Sequence, residues 1–194
     1  MNAASTSPPS RPPTVIVLAS GRGERFRAAG GAGHKLQAPL AGATVLAHTL
    51  AAVRASGLPW HLEDAGHPGM GDSIAAAVRA TADAGGWLIL PADLPLVLPE
   101  TLQAVARALQ GGAQAAQPRH QGARGHPVGF AAPCGPRLAA LSGAVGAAPV
   151  LRALREAGQV ADVEVDDIGV VTDVDTPEEL ARAEALMRQR LSRA

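Results

Sequence analysis

Apolar runs of strand length alternate with amphipathic stretches along the chain. Thr14 to Leu18 (TVIVL) is a β-branched run with prolines before it and glycines after it, the pattern of a buried strand. Thr44 to Ser56 sets Val45, Leu46, Leu50 and Val53 near helical spacing and stops at Gly57, a natural residue to follow a helix. Pro59 to Glu63 predicts a short strand, and the alanine-rich Asp72 to Asp83 a packed helix entered through Gly69-Met70-Gly71. Gly86 to Pro91 is a second continuous apolar run, followed by a helix over 99–110 with Pro99 in its first turn. Val128 to Ala131 and Asp162 to Val165 read as strands on either side of a helix over 147–157. The last helix is the best marked. Thr176, Pro177 and Glu179 form a capping box, and Leu180, Ala183, Leu186, Met187 and Leu191 share one face.

Strands alternating with helices predict an α/β fold, a Rossmann-like three-layer sandwich around a mostly parallel sheet. Residues 14–194 read as one domain behind a disordered tail, 1–13, whose sequence MNAASTSPPSRPP has no apolar h-region. At 194 residues, 47% of them apolar, one domain with one real core is expected. The formal net charge is zero, so no global field draws the chain to nucleic acid or to anionic lipid. No run approaches the roughly 20 apolar residues of a membrane span. Cys134 is the only cysteine, which excludes an internal disulfide and a multi-cysteine zinc site. The expectation is a soluble cytoplasmic protein with no nucleic-acid or membrane partner.

The segment after the first strand, LASGRGERFRAAGGAGHKL, interleaves glycines with Arg22, Arg25, Arg27 and Lys35. It is not a phosphate-binding Walker loop, because Lys35 is followed by Leu36 rather than a hydroxyl residue. Nor is it a dinucleotide fingerprint, since Phe26 stands where the third glycine belongs and no helix starts cleanly through Ala28 to Gly31. What remains is an anion nest: amides freed by Gly21 and Gly23, with Arg25 and Lys35 as two cations of different shape, a set that suits a triphosphate. Lys35 is the only lysine among 17 basic residues. In a chain that otherwise uses arginine, it points to a need for a compact ammonium among phosphate oxygens. Arg22 and Arg27 read as solvated.

Open α/β sheets bind ligands at the carboxyl ends of their strands, and both this loop and Asp93 lie there. Asp93 sits between two prolines in LPADLPL, held as a carboxylate ligand of Mg²⁺ should be. Asp173 and Asp175, in VTDVDTP, offer a second carboxylate, with the choice between them open.

The set LASGRGERF with Lys35, GMGDS at 69–73, LPADLPLV at 90–97, GHPVGF at 125–130 and VTDVDTPEEL at 171–180 resembles the MobA-like nucleotidyltransferases, and most of all their molybdenum cofactor cytidylyltransferase branch. The resemblance covers about residues 14 to 181. It implies a fold of the nucleotide-diphospho-sugar transferase type and transfer of NMP from an NTP to a phosphorylated acceptor with Mg²⁺, releasing pyrophosphate. CTP is the favoured nucleotide and molybdopterin the favoured acceptor, with a molybdoenzyme as a further partner. Carried over by position, Leu18, Ala19, Ser20, Gly21 and Gly23 would wrap the nucleotide, and Arg25 and Lys35 would act in catalysis by neutralising the leaving pyrophosphate. Gly71 and Ser73 would line the base or ribose pocket. Asp93 with Asp175 or Asp173 would hold the metal, and Gly125, His126 and Pro127 would face the acceptor.

Three departures stand against that pattern. Ser20 occupies a place where relatives usually carry alanine or glycine. Between Ser56 and Gly69 there is room for one strand only, so a sheet one strand shorter than usual is expected. Ala144 and Ala148 replace an acidic residue and an arginine. Two other readings therefore stay open: a non-catalytic protein that binds a nucleotide or molybdenum cofactor during assembly of a partner enzyme, and a sugar or polyol phosphate nucleotidyltransferase.

Overall fold

The computed structural model describes residues 11–192 apart from Arg22 and the side chain of Leu191. Most of the expected tail, the reading of Arg22 as solvated and the place of Leu191 on the last helix therefore lie outside the described residues. Of the tail, Arg11 pairs with Asp83 at 3.1 Å, and Pro12 accepts a hydrogen bond from the Gly85 amide.

Strand β1 (Thr14–Leu18) sets the plan. Successive strand side chains leave opposite faces, so Val15 and Val17 enter one apolar core while Ile16 enters another. The first core also holds residues of α2 (Val45–Ala55), α4 (Pro99–Gln110) and α7 (Pro177–Leu191); the second takes α3 (Met70–Ala80), α5 (Gly135–Ala139) and α6 (Ala148–Glu156). The result is an α/β/α sandwich.

Between these layers the described residues form a seven-stranded sheet. Strands β4 (Trp60–Glu63), β1, β5 (Gly86–Pro91), β8 (Val128–Ala131), β6 (Ala115–His120) and β7 (Ala123–Arg124) follow in that order, and β9 (Val160–Glu164) pairs with β6. β4, β1 and β5 are parallel, as are β6 and β9, while β8 runs antiparallel to both β5 and β6. Two further short strands, β2 (Pro39–Leu40) and β3 (Ala43–Thr44), make a separate hairpin before α2. As expected from the short 57–69 segment, β4 alone lies between α2 and α3, and it is the edge strand. No described helix is long and apolar enough to cross a membrane.

β6 and α5 are among the elements that escape the apolar pattern. β6 reads AAQPRH, yet Gln117 is buried there because its amide donates to the Gly125 carbonyl at 3.2 Å. α5 opens on Gly135-Pro136 and has five residues, too few for a helical period to show. Elsewhere the limits shift by a few residues. α3 starts at Met70 rather than Asp72, and β9 at Val160 rather than Asp162.

Candidate active site

β1, β4 and β5 end together at Leu18, Glu63 and Pro91, and the loops that leave them are stitched to one another. The Ala92 amide donates to the Leu18 carbonyl at 3.0 Å, and the Ala19 amide to the Glu63 carbonyl at 2.8 Å. The Val174 amide donates to the Asp93 carbonyl at 3.0 Å, so the segment before α7 is drawn to the end of β5. These loops border a cavity of about 810 Å³.

The glycine-rich segment is more ordered than its composition suggests. Gly23, at φ +63°, turns the chain into a five-residue helix, α1 (Glu24–Ala28), which the sequence pattern does not announce. Phe26 pins α1 to the core, and Gly31 passes so close to its ring that a Cβ there would collide with it. His34 then closes the segment. Its Nδ1 accepts the Leu36 amide at 3.3 Å, so its Nε2 carries the hydrogen and donates to the Gly21 carbonyl at 2.7 Å. That clasp opens a 3₁₀ turn, Lys35–Gln37.

Lys35 thus arrives between two carboxylates. Its Nζ donates to Asp93 Oδ2 at 2.5 Å and to Asp175 Oδ1 at 2.6 Å. Burial alone would lower the Lys35 pKa, but Asp93 and Asp175 outweigh it and leave the pKa above its ordinary value. Arg25 NH1 lies 2.5 Å from the other oxygen of Asp175, although the Arg25 side chain is 82% exposed. The cap of α7 steadies Asp175. Thr176 accepts the Glu179 amide at 3.2 Å, and the Glu179 carboxylate accepts the amide of Asp175 itself at 2.8 Å. The capping box read in the sequence therefore closes one residue early, on a cavity-lining carboxylate residue.

Asp93 Oδ1 is buried with no hydrogen-bond partner among the described residues. An orphaned carboxylate oxygen beside a second carboxylate fits a hard cation of the Mg²⁺ type, which takes one or two protein carboxylates and fills its shell with waters and substrate phosphates. Among the described residues no group of three or more His, Cys, Asp and Glu side chains forms a ready-made metal cage. Asp173 borders the cavity and is exposed.

Of the other residues singled out in the sequence, Leu18, Ser20, Gly21, Gly23, Ser73, Gly125 and His126 line the cavity with Arg25, Lys35, Asp93 and Asp175. Ser20 Oγ and Ser73 Oγ are 2.7 Å apart and share a hydrogen bond. Gly71 lies elsewhere: its amide donates to the Gly143 carbonyl at 2.9 Å, and a Cβ on it would come within 2.8 Å of the Ser142 carbonyl. Ala19 and Pro127 are not among the residues that line the cavity. Pro127 follows a cis peptide bond from His126. Burial lowers the His126 pKa, with Asp93 and Asp173 opposing, so the ring is neutral at neutral pH.

The MobA-like NTP transferase domain, as a family description, fits residues 15–160. The chain belongs to this family. Solved structures share the fold over nearly the whole chain. Rv0371c from Mycobacterium tuberculosis H37Rv has 23% identity and a TM-score of 0.72, with 91% of this chain and 98% of that one covered; it is also known as a complex with manganese. A nucleotidyl transferase from Methanothermobacter thermautotroptrophicus, Mth528, has 20% identity and a TM-score of 0.75, covering 92% and 99%. Molybdopterin-guanine dinucleotide biosynthesis protein A from Archaeoglobus fulgidus has 20% identity and a TM-score of 0.59, covering 91% and 99%. No curated protein matches the chain.

This MobA-like site contains residues that sequence reasoning did not select. Arg124 borders the cavity beside Gly125, and its guanidinium is held by Asp162 at 3.0 Å. That bond holds the Asp162 carboxyl below its ordinary range. His67 and Met70 also line the wall. Met70 falls inside the GMGDS stretch, whereas Arg124 and His67 carry no local signal and owe their place to the loops that present them.

Proposed function

We propose that this protein is a divalent-cation-dependent nucleotidyltransferase that moves NMP from an NTP, with CTP favoured, to a phosphorylated acceptor, with molybdopterin favoured, and releases pyrophosphate. The observation that carries the reading is the knot of Lys35, Arg25, Asp93 and Asp175 at the joined ends of β1 and β5. Two cations and two carboxylates at the mouth of a glycine-rich loop match the needs of a polyphosphate and its cation.

In this reaction an acceptor phosphate oxygen attacks the α-phosphorus, and the bond to the bridging oxygen of the β-phosphate breaks. The protein contributes position and charge more than covalent chemistry. Gly21 and Gly23, at the mouth of the cavity, hold the triphosphate by backbone amides. Lys35 and Arg25 exchange their carboxylate partners for phosphate oxygens and stabilise the negative charge that grows on pyrophosphate. Asp93 and Asp175 would hold Mg²⁺, which when bound neutralises phosphate charge. His126, neutral and shielded, presents an uncharged wall to the acceptor and so does not compete with Lys35 for its phosphate. Gly125 lets that wall pack directly against Val170.

Thermal unfolding with each of the four common NTPs, with and without Mg²⁺, tests the reading. A ligand at about 100 times its Kd adds roughly 2.7 kcal/mol of stability. A magnesium-dependent shift with CTP, followed by pyrophosphate release when molybdopterin is added, is the expected result. Binding without pyrophosphate release would favour the second reading, a cofactor-binding assembly protein, which the absence of charge at Ala144 and Ala148 supports. No shift with any NTP would overturn nucleotide recognition.

A further inference from the structure

The cavity wall formed by residues 124–126 carries a guanidinium that the chemistry above does not use. Among the described residues lining the cavity, only Arg25, Lys35 and Arg124 are arginine or lysine, and the first two belong to the glycine-rich segment. Arg124 comes from the other side. In the sheet β5 lies between β1 and β8, and β8 runs antiparallel to β5. The chain that enters β8 therefore passes the carboxyl end of β5 on the side of Asp93 away from the glycine-rich segment.

Two hydrogen-bond chains fix this wall, and both start at Arg155 of α6. Arg155 donates to the Gln117 side-chain oxygen at 2.8 Å, and the Gln117 amide donates to the Gly125 carbonyl at 3.2 Å. Arg155 also donates to Asp162 at 3.0 Å, and Asp162 accepts Arg124 Nη2 at 3.0 Å and Nε at 3.4 Å. Asp162 thus takes the Nε edge of Arg124 and leaves Nη1 without a partner among the described residues. Nor does it cancel the charge. The cluster sets Arg119, Arg124 and Arg155 against Asp162 and Glu164, three cations to two anions, so one positive charge is left over.

The rest of the wall holds no second cation. The Gly125 amide donates to the Pro118 carbonyl and the His126 amide to the Val170 carbonyl, each at 2.9 Å, and the His126 ring is neutral at neutral pH. In a phosphoryl displacement the entering and leaving oxygens lie roughly in line. With pyrophosphate on the glycine-rich side, the acceptor enters from the side of Arg124. A phosphate brought up to a triphosphate requires a cation to offset their repulsion. Resting on the nucleotidyltransferase reading above, we infer that Arg124, held in place by Asp162, binds the phosphate of the acceptor. Its planar fork matches phosphate oxygens, and its second edge is open to them.

The test is calorimetric titration of inorganic phosphate into the full chain saturated with Mg²⁺ and the α,β-methylene analogue of CTP, which fills the nucleotide site and cannot transfer CMP. Wild type should bind phosphate saturably. Arg124→Gln should weaken that binding at least about tenfold, as loss of a charge-assisted pair does, and leave the analogue's affinity within about twofold. Arg137→Gln, which removes an equal charge from α5 outside the cavity lining, should match wild type. The Arg124 side chain is 48% exposed, and a melting temperature within a few degrees of wild type verifies that its variant folds. No phosphate binding by saturated wild type, unchanged binding in Arg124→Gln, equal weakening in Arg137→Gln, or a lost affinity for the analogue in Arg124→Gln would overturn the inference while leaving nucleotide binding in place. Failure of wild type to bind the analogue with Mg²⁺ would overturn the functional reading and this inference with it.

Discussion

Lys35 and Asp93 stand 58 residues apart in sequence, yet the ammonium of one donates to the carboxylate of the other at 2.5 Å. The contact brings the only lysine of the chain to the end of β5. An ammonium radiates its three hydrogens from one atom whereas a guanidinium spreads its donors in one plane, so an arginine here would meet the two carboxylates with a different geometry.

Lys35→Arg should therefore keep the charge and the fold but lose turnover. Removing a comparable charge-stabilising donor costs about 3 kcal/mol in the transition state, or roughly a hundredfold in kcat. Steady-state pyrophosphate release checks this, with thermal unfolding as control. A variant as fast as wild type would remove Lys35 from the phosphate chemistry.

His34 gives a second prediction. Its two ring nitrogens join Gly21 to the turn that carries Lys35, so His34→Ala should free the intervening loop without touching the core. Nucleotide affinity should fall about tenfold, the cost of ordering released residues on binding, while the melting temperature stays within a few degrees of wild type. Titration of both proteins with Mg·CTP decides it.

Much of this was legible in the sequence, and the exceptions share a cause. β1, β5 and the capped start of α7 were readable because strand periodicity and capping are local. Lys35 and Asp93 were readable as candidates because one is compositionally rare and the other ends a buried strand. β6 was not, since its burial comes from β8 and β9 on either side rather than from its own AAQPRH pattern.

Gly71 shows how a motif position takes on a different meaning in three dimensions. The family resemblance implies a place in the base or ribose pocket, whereas its Cα faces the backbone of the 142–145 loop, where a Cβ would lie 2.7 Å from the Val145 carbonyl. Gly71→Ala should thus lower stability by about 1–3 kcal/mol through overpacking, a fall of several degrees in melting temperature for a chain of this size. Mg·CTP affinity measured well below the melting point should change little. A large loss of affinity with unchanged stability would restore the direct nucleotide role.

His126 links the site to pH. Its pKa in the fold lies below the ordinary value because burial disfavours the charged ring, more than Asp93 and Asp173 favour it. The unfolded chain therefore binds a proton at this residue that the folded chain refuses, and in that interval stability rises with pH. The contribution is complete above about pH 6.5, the ordinary imidazole value, and is lost as the pH falls toward the lowered value. His126→Gln removes the titration and keeps a polar side chain, so its melting temperature should fall less than that of wild type between pH 7 and pH 5. Parallel thermal melts across that range measure the difference. Coincident slopes would show that the buried ring takes up its proton without cost, and the neutral wall assigned to the acceptor would have to be abandoned.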